Sequence, residues 1–263
     1  MSHTPPIFTQ YGKNSSAFLT LDTPNSLVIF VHGFNGEATG TWDEFPDLIR
    51  KNNDFRNSDV IFYGYDSLKG QANNNAITLY SLLTFVCENS PNRLGYRRGH
   101  VSDDFKYRRI VVVAHSLGAV IVRRALLNAK TENKPWLANC RMVLFAPAHK
   151  GARIQKLVTE SLPTVGRILA GLGFIAIPVL DDLQPTSQTI LNLIADTQSY
   201  LNQNKGQFTI AHKVVWANDE IVVHNEPFCS DPVAILINNK SHTSVCKPKA
   251  DYLDPYQIVI NAL

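Results

Sequence analysis

The chain has 263 residues, 44% of them hydrophobic and 18% charged, with a formal net charge of +3. That apolar fraction can bury a substantial core, which excludes a disordered chain, and the small charge without a dense Lys/Arg stripe excludes nucleic acid as a partner. The length suits one α/β domain.

Residues 1–6 contain no basic segment followed by an apolar one, so no secretory signal is read there and a cytoplasmic location is expected. Short β-like runs at 7–11 and 17–21, separated by Gly12-Lys-Asn-Ser-Ser16, predict an opening hairpin. Leu27-Val-Ile-Phe-Val31 predicts a buried strand that runs directly into His32-Gly-Phe-Asn-Gly36. A glycine-containing loop at the end of a central strand is where an α/β sheet presents backbone amides to a ligand. A short helix is expected over 41–50, a third strand over 59–63 and a longer helix over 74–88, where Ile77, Leu79, Tyr80, Leu83, Phe85 and Val86 recur at helical spacing. Residues 91–105 are polar, basic and glycine-containing, which predicts a loop; its arginines and lysines read as a solvated surface.

The next stretch organises the chain. Ile110-Val-Val-Val113 predicts a strand buried on both faces, Ala119-Val-Ile-Val-Arg-Arg-Ala-Leu-Leu127 a helix, and between them lies Ala114-His-Ser-Leu-Gly118. A serine between a buried strand and a helix, with small residues two places to either side, has the pattern of a nucleophile elbow. The turn must be tight enough to project the Ser116 hydroxyl from the sheet edge, so bulky side chains at 114 and 118 would clash across it. The amides that open the following helix point at the place where negative charge would develop.

A fifth strand is expected over 141–146. Residues 152–206 then break the strand–helix rhythm: 165–180 is almost wholly apolar, but too short and too interrupted by Gly, Arg167 and Pro178 to span a membrane. A helical cap over the site, a membrane-surface anchor and a core helix are the competing readings, with the cap favoured by its position as a long insertion. A helix over 186–201, a strand over 208–216, a short strand near 233–237 and a closing helix over 256–263 complete the chain. The cysteines Cys87, Cys140, Cys229 and Cys246 form no C-x-x-C pair and are expected as free thiols, a Cys229–Cys246 disulfide remaining open.

A serine hydroxyl is a poor nucleophile near neutral pH and needs a histidine, itself oriented by a carboxylate. In α/β hydrolases the chain order is Ser, acid, His. After Ser116 the acids at a strand end are Asp219 and Glu220, and the histidines beyond them are His224 and His242. Local sequence favours Asp219 and His242, the latter in a polar loop of small residues. The oxyanion donors are expected to be the backbone N–H groups of Leu117 and Phe34. His32, His115 and His149 each follow a predicted strand, but no H-E-x-x-H or Cys/His cluster supports zinc, and Gly33 and Gly36 are not followed by G-K-[ST], so neither a metal nor a phosphate-binding cofactor is expected.

Val-Ile-Phe-Val-His32-Gly-Phe-Asn-Gly36 with Thr41-Trp42, Tyr63-Gly-Tyr-Asp-Ser67, Val-Ala-His-Ser116-Leu-Gly-Ala119, Phe-Ala-Pro147-Ala-His149-Lys-Gly151, Asn-Asp219-Glu-Ile-Val222 and Ser-His242-Thr-Ser-Val-Cys-Lys247-Pro248 resemble, in order, the segments of the lipase-like serine esterases. That group is related to lipases and to the GPI inositol deacylases and includes the serine-active-site-containing proteins. The resemblance joins the strand–helix alternation in pointing to a single α/β-hydrolase domain over 1–263, with a mainly parallel sheet and helices on both faces, the insertion at about 152–206 being read as its helical cap. It implies a Ser116-Asp219-His242 triad acting without a cofactor on a small-molecule or lipid ester. A phospholipase or lipase in transient contact with a membrane surface, and a non-catalytic binding module on the same scaffold, are the alternatives carried forward.

Overall fold

The protein is described by a computed structural model over residues 2–95, 101–162, 177–203 and 205–263. The hairpin read at the start is present: β1 (Ile7–Phe8) and β2 (Ser16–Phe18) pair antiparallel, and β2 lies antiparallel to β4 (Ser58–Tyr63). From there inward every pairing is parallel, through β3 (Ser26–Val31), β5 (Arg109–His115), β6 (Cys140–Phe145), β7 (Lys213–Ala217) and β8 (Ile235–Ile237). The strand order is β1-β2-β4-β3-β5-β6-β7-β8. Every residue of β3 and β4 is buried, which is why these strands read as continuous β-branched and aromatic runs instead of alternating ones.

The order dictates where the helices go. The step from β3 to β4 moves one way across the sheet; the step from β4 to β5 moves back past β3. Because parallel crossovers are right-handed, α1 (Phe45–Lys51) lies on one face, and α2 (Ala72–Glu88), α3 (Leu117–Thr131) and α6 (Gln188–Asn202) lie on the other. Contacts agree: α3 packs against both α2 and α6. On the opposite face, Tyr256 of the closing helix α7 (Asp254–Ile260) meets Phe45 of α1 with ring centroids 6.0 Å apart. Phe30 of β3 anchors that face, stacked on Phe62 at 4.7 Å and tilted against Phe45 at 4.9 Å. Full burial of each such ring stabilises by about 1.5–3 kcal/mol.

The reversal also opens a crevice between the carboxyl ends of β3 and β5, where ligands bind in open α/β sheets. The loop 32–36 and Ser116 leave the sheet there.

Several sequence expectations shift in detail. The strand expected over 110–113 spans Arg109–His115, since β5 keeps pairing with β6 up to His115 opposite Phe145. The strand expected from 208 begins only at Lys213; Gln207–Thr209 instead forms a 3₁₀ turn, closed by the Thr209 hydroxyl on the Gly206 carbonyl. The helix expected over 41–50 divides into a 3₁₀ turn at Gly40–Trp42 and α1, because Asp43 takes a positive φ of 51° between them.

Within 152–206 the structure has α4 (Ile154–Ser161), α5 (Pro178–Asp182) and α6. Arg124 of α3 forms an ion pair with Asp196 of α6 at 2.6 Å. Residues 163–176, which hold most of the apolar segment assigned to the cap, lie outside the described residues. All four cysteines are free, with Cys87 and Cys246 buried. Among the described residues no helix is long and apolar enough to cross a membrane.

Candidate active site

Ser116 stands between β5 and α3 with φ 52° and ψ −120°, a sparsely populated conformation for a residue with a side chain, costing on the order of 1–3 kcal/mol. Backbone bonds hold it there. The Ser116 N–H donates to the Phe145 carbonyl at 3.0 Å, and the Ser116 carbonyl accepts from the N–H groups of Ala119 at 3.0 Å and Ala148 at 3.1 Å. The elbow is thus bolted to the end of β6 as well as to its own helix.

Two glycines make room for it. A Cβ on Gly118 would lie 2.4 Å from the Val31 carbonyl oxygen and 2.5 Å from that of His32, both backbone atoms that cannot move aside. A Cβ on Gly33 would lie 2.8 Å from Ser116 Cβ and 2.9 Å from His115 Nδ1. The loop after β3 therefore lies directly against the serine, which places Phe34 beside the site; Leu117 opens α3, where first-turn amides have no intrahelical acceptor.

His242 lies 126 residues beyond Ser116 in sequence and meets it in space: Nε2 is 3.0 Å from Ser116 Oγ. Its Nδ1 is 2.9 Å from Oε2 of Glu220, so with the proton on Nδ1 it donates to the carboxylate and Nε2 is free to accept from the serine. The acid against the histidine is Glu220, and Asp219 is not, which corrects the assignment made from sequence. The reason is local. β7 ends at Ala217, and Asn218 and Asp219 form an exposed turn, so the Asp219 carboxylate faces solvent. Glu220 comes one residue later with one more methylene, and its side chain turns back into the protein, where it is fully buried. Its Oε1 accepts the N–H groups of Val222 at 2.7 Å and Val223 at 3.0 Å. The sequence signal was the Val222-Val223 pair just beyond Glu220: both valines are buried, and their two backbone amides turn onto the acid.

The histidines read as weak metal candidates have other work. Among the described residues no group of three or more His, Cys, Asp or Glu side chains is arranged to hold a metal ion. His32 braces the loop that follows it, with Nδ1–H donating to the Gly33 carbonyl at 2.8 Å and Nε2 accepting from the Tyr65 N–H at 3.2 Å. Tyr65 stacks on the imidazole at 4.2 Å and donates its hydroxyl to the His32 carbonyl at 2.8 Å. His115 donates from Nε2 to the His242 carbonyl at 2.8 Å, its ring 4.9 Å from that of His242, and so ties the base-carrying loop to the nucleophile strand. No sequence pattern announces this clamp, because it joins a side chain to a main-chain oxygen 127 residues away. His149 packs on Phe228 with centroids 4.4 Å apart. His224, the alternative base, lies in a loop whose N–H bonds to the Gly151 carbonyl.

Burial keeps three of these imidazoles neutral. It depresses His32 to about 4 and holds His115 and His149 well below the usual 6.5, in the latter two with a further contribution from nearby positive groups. Below pH 6.5 the unfolded chain takes up protons that the folded imidazoles do not, so stability rises with pH in this window. We expect urea midpoints to fall steadily from pH 7 to pH 4.5, His32 alone accounting for a loss of about 3 kcal/mol by the time its folded value is reached. A midpoint independent of pH across that range would contradict this reading of the buried histidines.

A cavity of about 280 Å³ adjoins the site, walled by Gly33, Phe34, His115, Ser161, Thr243 and Lys247. The Asn35 side-chain amide bonds to the Ser161 carbonyl, so the end of α4 forms part of this wall. A larger hollow of about 760 Å³, near Phe8, Phe18 and Leu68, contains no member of the Ser116–His242–Glu220 chain.

This geometry can be set beside known proteins. The mature lipase of Bacillus licheniformis superposes with a TM-score of 0.55 at 14% identity, over 92% of this chain and 95% of the lipase. A peroxisomal alpha-beta-hydrolase of Saccharomyces cerevisiae gives 0.54 at 11% identity over 94% and 80%. The 2-hydroxy-6-oxo-6-phenylhexa-2,4-dienoate hydrolase of a Rhodococcus strain gives 0.52 at 12% identity over 95% of each chain. At such identities the likeness concerns the fold, which is the α/β-hydrolase fold. Among curated proteins none matches this chain. The family described as "Putative serine esterase (DUF676)" matches residues 22–225, a span that takes in Ser116 and Glu220 and stops short of His242. The match covers well over half of the sequence, and the chain belongs to that serine esterase family.

Proposed function

We propose that the protein hydrolyses carboxylic esters through a covalent acyl-enzyme, with Ser116 as nucleophile, His242 as the group that moves its proton, and Glu220 as the orienting carboxylate. One observation carries this reading: the unbroken chain from Ser116 Oγ to His242 at 3.0 Å and from His242 to Glu220 at 2.9 Å. In the first half-reaction Ser116 Oγ attacks the ester carbonyl carbon while His242 Nε2 takes the hydroxyl proton. The tetrahedral intermediate collapses, the ester C–O bond breaks, and the imidazolium returns the proton to the departing alkoxide, which leaves as the alcohol. A water then repeats the sequence on the acyl-serine, giving the acid and free Ser116. Glu220, buried and holding two backbone amides, fixes the Nδ1–H tautomer and stabilises the imidazolium. The N–H groups of Leu117 and Phe34 are assigned to the oxyanion; losing one such donor costs about 10²–10³ in rate.

The test is a series of p-nitrophenyl esters from acetyl to lauroyl. The expected result is a burst of nitrophenol approaching one equivalent of enzyme, followed by slower turnover, for at least part of the series. No turnover of any ester would favour the non-catalytic alternative on the same scaffold. A sharp rise of activity on vesicles would identify the lipase or phospholipase reading.

A further inference from the structure

We propose that Lys247 determines substrate specificity, recognising a phosphate or carboxylate group carried by the ester that is hydrolysed at Ser116. This rests on the reading of Ser116 as nucleophile and adds the chemical class of its substrate.

Position and charge single out Lys247. The 280 Å³ cavity that holds Lys247 in its wall is also walled by Gly33, Phe34, His115 and Thr243. Each of these neighbours the reacting groups: Gly33 packs on Ser116 Cβ, His115 precedes Ser116, and Thr243 follows His242. A substrate with its carbonyl at Ser116 thus has one of its arms within reach of this cavity. The second point is charge. Lys247 is half-buried, and among the described residues no carboxylate lies within 4.0 Å of its ammonium. Lys13, Lys51, Lys134 and Lys249, by contrast, each have an acid within that distance. A half-buried ammonium without a counter-ion carries a desolvation cost that a bound anion would offset.

Two carboxylates share the wall, and neither occupies the same ground. Glu160 is exposed at the end of α4. Glu37 folds over Gly40, its Oε2 only 2.7 Å from where a Cβ on that glycine would stand. Of the three, Lys247 is the one that contributes to keeping His115 neutral, behind the larger effects of burial and of His242. The lysine sits five residues after His242 on the same loop. That loop is held rigid by the Tyr252 hydroxyl on the Val245 carbonyl at 2.9 Å and by the His115 clamp. The backbone that carries the cation is therefore fixed relative to the base, which keeps the ammonium within the reach of one side chain from the site.

Two matched pairs of esters separate the sources of the anion. The p-nitrophenyl esters of butyric acid and of succinic acid differ by a carboxylate; dihexanoylglycerol and dihexanoyl phosphatidic acid, presented below micelle-forming concentrations, differ by a phosphate. The measured quantity is the ratio of kcat/KM, anionic over neutral, in the wild type and in K247Q, K247R and K247E. In at least one pair the wild type is expected to favour the anionic member. K247Q should lower that ratio about tenfold or more through KM, K247R should retain most of it, and K247E should invert it. Equal ratios in wild type and K247Q, or a loss in K247Q that falls equally on both members, would overturn the proposal. If Ser116 reacts with a fluorophosphonate but no anionic ester is preferred, this inference fails while the esterase reading stands. If Ser116 does not react, the esterase reading itself has failed.

Discussion

Ser116→Ala is expected to lower kcat on a turned-over ester by about 10⁶, His242→Ala by nearly as much, and the double variant by no more than either alone. The non-additivity is the informative part. Ser116 Oγ and His242 Nε2 are 3.0 Å apart, and neither has a role in the proposed chemistry without the other. Removing the imidazole leaves a hydroxyl that is hardly ionised near neutral pH; removing the hydroxyl leaves a base with nothing to deprotonate. Both side chains are buried; alanine at 116 removes one hydroxyl, whereas alanine at 242 opens a cavity and takes the ring partner from the buried Glu220 carboxylate, so thermal melting is needed to separate lost chemistry from lost structure. Steady-state kinetics on the three variants provides the test, and multiplicative losses would mean that the two residues act independently.

The second large effect distinguishes two adjacent acids. Glu220→Gln is expected to lower kcat by about 10⁴ with little change in KM, while Asp219→Asn stays within about twofold of the wild type. Glutamine keeps the shape of the side chain and can still accept from the Val222 and Val223 amides through its oxygen. What it then offers His242 is an N–H donor, which forces the imidazole into the wrong tautomer and removes the negative charge that stabilises the imidazolium. Asp219 lies in an exposed turn and has no part in this arrangement. The reverse pattern, with Asp219→Asn the damaging change, would show that the functional acid is the one that the local sequence favoured.

Much of this molecule could be read before its coordinates, for physical reasons. The central strands announce themselves because a parallel sheet covered on both faces leaves no polar alternation, as in Ser26–Val31 and Ser58–Tyr63. Ser116 is legible because its backbone conformation demands small neighbours, and a methyl at 118 would strike two carbonyl oxygens of the β3 end. His242 is legible because chain order and a loop of small residues leave few other choices. Glu220 is harder. Chain order asks only for an acid after β7, and the decision between neighbours depends on a two-residue turn and one methylene. The 3₁₀ turn at Gln207–Thr209 and the split of the helix before α1 escaped for a related reason: each is set by a local hydrogen bond or a positive φ, not by a periodic pattern. The His115 clamp, and the absence of an acid near Lys247 among the described residues, are tertiary facts, invisible until distant parts of the chain are brought together.

The most direct test of the account is to treat the native protein with a fluorophosphonate and locate the adduct by peptide mass spectrometry. The account requires one equivalent of label on Ser116, slowed severely in His242→Ala and abolished in Ser116→Ala. An unlabelled protein, or a label carried elsewhere with Ser116 unmodified, would contradict it.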